Sequence, residues 1–223
     1  MNISIKDVLQ QIRLFFILYL ILLSCCLVVK LLFTREQIFF AVNNRYSYWA
    51  DLAAPYVSDI GLGWVTIAVA LTLMLFSFRK AFLLATAYTV TSLTAQLIKH
   101  IVQSPRPKMY FHNQLNHIHF IKGMYIDIAD SFPSGHTVTA FSTAVVLTYL
   151  VKNKNWSILF LAAAILIGYS RMYLVEHFFE DVTAGSIFGV VLTILWLTWL
   201  DNKNFLHTPG WSRGLVEVLS RKS

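Results

Sequence analysis

The chain has 223 residues, of which 57% are hydrophobic and 13% charged, with 9 Gly, 5 Pro and 2 Cys, and its mean hydropathy is +0.62. A soluble domain of this size cannot hide so much apolar side chain, and the same figures exclude a disordered chain, a collagen-like repeat and a disulfide scaffold. The formal net charge of +7 does not read as a nucleic-acid stripe, because the Lys and Arg residues sit at the edges of hydrophobic runs. Membrane topology and phosphate are the better explanations, and no nucleic-acid partner is expected.

A membrane-crossing helix needs about 20 mostly apolar residues to match a hydrocarbon core of about 30 Å. Six runs meet that need. Residues 1–12 precede them as a polar and apolar stretch suited to the headgroup region. The first run, Leu14 to Phe33, carries Cys25 and Cys26, whose adjacency forbids a mutual disulfide without breaking the helix. It lacks a small-residue cleavage site, so it is expected to stay as a span. Residues 36–59 mix Tyr46, Tyr48, Trp49 and Tyr56 with charges, as an interfacial helix does. The second run, Gly61 to Phe78, and the third, Ala81 to Val102, are separated only by Arg79 and Lys80 and must be antiparallel neighbours. The fourth, fifth and sixth are Gly135 to Val151, Ser157 to Tyr173 and Ala184 to Leu200. The tail, residues 201–223, is polar and basic, with Trp211, Leu215 and Val216 as membrane anchors.

These runs predict an all-α polytopic membrane protein: one domain over residues 1–223, with a six-transmembrane-helix bundle over 14–200 and a cytoplasmic tail. With the N-terminus inside, ten Lys and Arg residues fall on the inner side and eight on the outer, a small excess in the direction of the positive-inside rule. Three of the outer cations, Lys99, Arg106 and Arg171, have a chemical reason to be there.

That reason lies in three separated segments that the six-run order brings to one membrane face. Pro105 and Pro107 should stop the third helix near Gln103 and leave Arg106 in an extended turn, with Lys99 one helical turn below. The two cations can then approach one anion from different heights. The second segment, Pro133-Ser134-Gly135-His136, reads as a helix start capped by Ser134. Its free first amides suit phosphate, Gly135 lets an anion approach the backbone, and His136 stands in the same first turn. In the third segment, Ser170-Arg171 precedes His177 and Asp181. A carboxylate four residues from an imidazole can take a proton from one ring nitrogen and leave the other free to attack. Each segment alone also has a plain structural reading: snorkelling cations, an ordinary cap, and a helix-surface pair.

Together the segments resemble the type 2 phosphatidic acid phosphatase family. Its pattern of Lys-x6-Arg-Pro, Pro-Ser-Gly-His and Ser-Arg-x5-His-x3-Asp is met at every specified position, by Lys99, Arg106, Pro107, Pro133, Ser134, Gly135, His136, Ser170, Arg171, His177 and Asp181. The resemblance covers about Leu14 to Leu200. It implies a metal-independent lipid phosphatase with no cofactor, in which His177 attacks phosphorus and becomes a phosphohistidine, Asp181 orients it, and His136 protonates the leaving oxygen. Lys99, Arg106, Ser134, Gly135 and Arg171 would hold the phosphoryl oxygens. Phosphoryl transfer needs mainly in-line positioning and charge neutralisation, which fixed cations and helix-start amides supply.

The substrates implied by resemblance are undecaprenyl diphosphate, phosphatidylglycerol phosphate, phosphatidic acid and lipid A phosphate. The expected setting is the periplasmic face of a bacterial inner membrane, with the bilayer and the lipid substrate as partners and no obligatory protein partner. A phosphotransferase that passes the phosphoryl group to another lipid, and a non-catalytic lipid-binding or transport protein, are the alternatives. His112, His117, His119, Asp127 and Asp130 lack dependable metal-ligand spacing, so the long loop that carries them is expected to act as a lid or headgroup contact. Glu176 and Glu180 are expected to cap the sixth span.

Overall fold

The computed structural model describes residues 3–220. Residues 1 and 2 of the N-terminal stretch, and Arg221, Lys222 and Ser223 of the tail, lie outside the described residues. The chain order is α1 (Ile5–Gln11), α2 (Arg13–Leu32), α3 (Arg35–Asn43), α4 (Tyr48–Ile60), α5 (Gly63–Phe76), α6 (Phe78–Val102), α7 (Pro107–Tyr110), α8 (Gly135–Leu150), α9 (Trp156–Tyr173), α10 (Phe179–Leu200), α11 (Pro209–Ser212) and α12 (Leu215–Ser220), with single 3-10 turns at Leu115–His117 and Asn204–His207. No strand occurs among the described residues.

Local chemistry sets the helix ends. Ser4 and Asp7 close a capping box at the start of α1, and Thr34 and Gln37 do the same for α3, each pair satisfying two orphan amides. Helix α6 ends at Val102 with Gln103 left-handed at φ 47°, directly before the two prolines expected to stop it. Helix α10 begins at Phe179, five residues earlier than the hydrophobic run suggested. The cause is Asp181, whose Oδ2 accepts the Phe178 amide at 2.8 Å and caps the helix.

Each of the six hydrophobic runs contains a helix, but the helices differ in reach. Four helical segments are long and apolar enough to cross a membrane: α2, α6 continued through α7, α9 and α10. The pair α4 and α5, bent by 54°, makes a fifth if taken as one broken span. Helix α8 has 16 residues, a rise of about 24 Å, less than the hydrocarbon core. It is the innermost helix, packed against α6, α9 and α10 with none of its residues exposed.

Small residues bring α8 and α10 close together. A Cβ added at Gly185 would lie 2.8 Å from the Ser134 carbonyl oxygen, and one at Gly189 would lie 2.7 Å from that of Val138. This is the spacing of a small-xxx-small helix contact. The Ser134 amide also donates to the Asp181 carbonyl at 3.0 Å, so the starts of the two helices are tied directly. At the opposite end of the bundle, Asp201 is fully buried and accepts from the Arg79 guanidinium at 2.6 Å and from the Tyr149 hydroxyl at 2.6 Å. The tail folds back there: Phe78 donates its amide to the Arg213 carbonyl, and Trp211 packs on Phe82.

Candidate active site

The three predicted segments meet at one end of the bundle. Lys99, Arg106, Gly135, His136, Arg171 and His177 all line a cavity of about 270 Å³. Ser134 and Asp181 stand just behind its wall, both buried. The loop expected as a lid forms part of this wall. Its last stretch runs back along the turn after α6: Arg106 donates its amide to the Ile128 carbonyl, Ser131 to that of Ser104, and the Phe132 amide to the Ser104 hydroxyl. An apolar cluster of Phe39, Phe111, Ile118, Ile126, Val175 and Phe178 holds the loop against α3 and the start of α10.

The cations are buried, and each is fixed by the backbone or a side chain. Lys99 Nζ donates to the Asp130 carbonyl at 2.6 Å, and Arg106 Nε to that of Ala129 at 2.8 Å. Arg171 donates one terminal nitrogen to Ser58 Oγ at 2.6 Å, while its buried Nε has no partner among the described residues. A buried donor left unmatched is costly unless a ligand supplies the acceptor.

Glu176 departs from the sequence reading. It was expected to cap the sixth span, yet it is buried between the two arginines, paired with Arg106 and lying 3.5 Å from Arg171. The backbone causes this. Val175 adopts φ 62°, a left-handed conformation strained for a β-branched residue, and both the Glu176 and His177 amides turn back onto the Arg171 carbonyl. Burial raises the Glu176 carboxyl above the usual carboxylate range, while Arg171 and Arg106 oppose the shift. Glu180 does stand in the first turn of α10, where it pairs with Lys30 and with Arg35.

The imidazole and carboxylate are arranged differently from the expected direct pair. His177 Nδ1 lies 3.7 Å from Asp181 Oδ2, too far for a hydrogen bond. His177 precedes α10 and Asp181 is inside its first turn, so the two do not share a helical face. Between them stands Ser131, fully buried, whose hydroxyl donates to Asp181 Oδ2 at 2.5 Å and faces His177 Nδ1 at 3.4 Å. Nothing in the motif spacing singles out Ser131; its position two residues before Pro133 is the only local cue. With Nδ1 turned toward Ser131, Nε2 is the nitrogen left free. Burial holds the His177 ring well below the usual imidazole range, and Arg171, Arg106 and Lys99 push it in the same direction. The ring therefore stays neutral and nucleophilic at neutral pH.

Ser134 occupies the cap position of α8, but its hydroxyl makes no amide cap bond. It accepts instead from the Thr137 hydroxyl at 2.9 Å. That leaves the first amides of α8 without a side-chain acceptor, and a Cβ added at Gly135 would meet nothing within 4 Å. Such a helix start can bind an anion. His119, considered above as a metal ligand, lies elsewhere: its Nε2 pairs with Asp51 at 2.9 Å and its ring stacks on Tyr46. No group of three or more metal-ligating side chains occurs among the described residues.

This arrangement has relatives. An undecaprenyl-diphosphatase of Sulfolobus acidocaldarius is 27% identical over 190 residues, covering 81% of this chain and 88% of that protein. The bacitracin transport permease protein BcrC of Bacillus licheniformis is 37% identical over 82 residues, which is 39% of its length. A lipid A 1-phosphatase of Rhizobium johnstonii is 33% identical over 107 residues, 41% of its length. The fold matches the crystal structure of Aquifex aeolicus LpxE with a TM-score of 0.64 at 27% identity, over 73% of this chain and 93% of that one. It also matches the Bacillus subtilis PAP2-type phosphatidylglycerolphosphate phosphatase with a TM-score of 0.61 at 22% identity, over 87% and 98%. Residues 80–205, more than half of the chain and the stretch that holds all three motif segments, match the profile of the PAP2 superfamily, and the chain belongs to that superfamily.

Proposed function

We propose that the protein is an integral membrane phosphatase that hydrolyses the phosphate monoester or diphosphate of a membrane lipid without a metal ion. The observation that carries this reading is the cavity itself: two imidazoles, His136 and His177, open onto one space with Lys99, Arg106, Arg171 and the start of α8. Both rings open onto a phosphorus held there, one to attack it and the other, protonated once the phosphate's negative charge is in place, to serve the leaving oxygen. The names of the relatives, which act on undecaprenyl diphosphate, lipid A phosphate and phosphatidylglycerolphosphate, support a lipid substrate.

In the proposed mechanism the cations and α8 amides neutralise the non-bridging oxygens. His177 Nε2 attacks phosphorus, the P–O bond to the leaving group breaks, and His136 gives its proton to the departing oxygen. Ser131 and Asp181 hold the His177 Nδ1 proton as charge develops on the ring. Water then attacks the phosphohistidine, giving its proton to His136, and the P–N bond breaks to free phosphate and restore both histidines.

We read the chain as one domain that crosses the bilayer six times, with α5 and α8 as the shorter crossings; α8 is sheltered by its neighbours, while α5 continues from the bent α4 and keeps a lipid-facing side. The site then faces the periplasm of a bacterial inner membrane. The partners of Lys30 and Arg35 on Glu180 support this orientation, since those two outer cations have a local counter-charge and do not oppose the positive-inside rule. The test is phosphate release from a panel of lipid phosphates and diphosphates in EDTA, without added acceptor lipid. Wild type should release phosphate and His177→Ala should not. Activity retained by His177→Ala, or lost to EDTA, would overturn the mechanism; release only with an acceptor lipid would indicate a phosphotransferase.

A further inference from the structure

The three cations of the candidate site are held unequally. Lys99 Nζ and Arg106 Nε rest on backbone carbonyls of the long loop, and Arg106 is further paired with Glu176 and lies 3.4 Å from Asp127. Arg171 has a single side-chain hydrogen bond among the described residues, from one terminal nitrogen to Ser58 Oγ at 2.6 Å. The carboxylate beside it, Glu176 Oε2, is 3.5 Å from the other terminal nitrogen, beyond ordinary hydrogen-bond length. Both residues are buried, where opposite charges attract more strongly than in water. A guanidinium on a flexible stem should close onto that carboxylate unless something holds it off, and closure would turn its donors away from the cavity.

Helix α4 equips Ser58 for that task. A hydroxyl inside a helix commonly returns to the carbonyl four residues back, as those of Ser24, Thr72 and Thr91 do in this chain. Ser58, 2% exposed, instead meets Arg171 across the contact with α9. The helix beneath it is pinned. Asp51, Ala54 and Ser58 follow at intervals of three and four residues and share one face; Asp51 Oδ1 accepts from the Tyr173 hydroxyl at 2.5 Å, and Ala54 is buried with Tyr173 and Leu174. Just past the end of α4, a Cβ added at Gly61 would lie 2.6 Å from Ile167 Cγ2 and 3.2 Å from His136 Cβ. The opposite face carries Trp49, Leu52 and Tyr56, all exposed. Seated in this way, α4 does not follow Arg171, and the serine oxygen is a fixed point for the guanidinium.

We propose that Ser58 is a positioning residue for Arg171: its hydroxyl keeps the guanidinium open to the phosphoryl group and off Glu176. The proposal rests on the phosphatase reading and adds to that site a residue of α4, outside all three motif segments and 113 residues from Arg171 in sequence. Without the hydroxyl the guanidinium turns to Glu176, and the cavity loses one of its phosphate-facing cations although every charged residue is still present.

The test is Ser58→Ala, made in wild type and in Glu176→Gln. Alanine removes one oxygen and suits a helix; thermal unfolding in detergent verifies the fold. In wild type the substitution should lower kcat/KM for a lipid phosphate by about tenfold or more, and should raise the inhibition constant of inorganic phosphate. In Glu176→Gln, where no carboxylate is left to capture Arg171, the same substitution should cost much less, an outcome that a merely loosened helix would not give. A folded Ser58→Ala enzyme within about twofold of wild type, or an equal loss in Glu176→Gln, overturns the proposal. Wild type that releases phosphate from no lipid overturns the phosphatase reading instead. The positioning role is then read by calorimetric binding of orthovanadate to the same four proteins: affinity about tenfold lower in Ser58→Ala, with little loss in Glu176→Gln, upholds it, and equal affinities or no binding to wild type overturn it.

Discussion

Replacing Ser131 with alanine isolates the part of the site that lies between the two groups expected to touch. The hydroxyl is 2.5 Å from Asp181 Oδ2 and 3.4 Å from His177 Nδ1, while the direct separation is 3.7 Å. Alanine leaves Asp181 capping the Phe178 amide, so α10 keeps its start and the fold survives. The His177 ring loses the hydroxyl that faces Nδ1, though not its hydrogen bond to the Ser131 backbone, and the buried Asp181 Oδ2 loses that donor, a loss of about 1–3 kcal/mol when such groups go unmatched. If the hydrogen bond strengthens as the ring gains charge, the whole loss appears in the barrier, and kcat falls by about 5- to 150-fold. KM should hardly change, because no phosphate contact is removed. Steady-state phosphate release by purified protein measures both constants. Asp181→Asn and the double variant complete a cycle, in which the second substitution should cost much less than it does alone. A Ser131→Ala enzyme within about twofold of wild type in kcat, or one impaired only in KM, would refute the relay.

Two further predictions use the charges around His177. Burial and three cations depress the His177 ring, so its reactive neutral form persists below pH 6.5 and is lost only at lower pH. The acid limb of kcat/KM assigned to it should therefore fall below that value, and Arg106→Ala, which removes one depressing charge, should move the limb toward neutrality; a pH–rate profile in which the limb stays still or moves to lower pH contradicts the assignment. Glu176 holds negative charge against Arg106 and Arg171. Glu176→Gln should strengthen product inhibition by inorganic phosphate, read as a lower inhibition constant, and weaker inhibition would show that the carboxylate positions the arginines more than it competes with the ligand.

The parts of the site that were legible in the sequence are those governed by local chemistry. Two prolines stop α6 beside Arg106, a Pro-Ser-Gly run starts α8, and the cation positions follow from those ends. What was not legible depends on contacts across the chain. Ser131 lies 46 residues from His177 in sequence, with no period or motif linking them. Glu176 looked like a cap because acids favour helix starts, but the left-handed turn at Val175 carries it inward. The hydrophobic run marked α10 from Ala184, since Glu180 and Asp181 ended the apolar pattern; in the fold, Asp181 opens the helix. Helix α8 reads like any other span, yet it is sheathed by its neighbours, so it needs neither full length nor a lipid-facing side.

The close seating of α8 on α10 sets which part of the molecule can yield. Gly185 and Gly189 leave no slack against the facing carbonyls, and the Ser134 amide is stitched to Asp181. His136 and the His177 turn ride on these two joined helices, so in the proposed mechanism the proton donor and the attacking nitrogen belong to one frame, and their spacing survives while a lipid comes and goes.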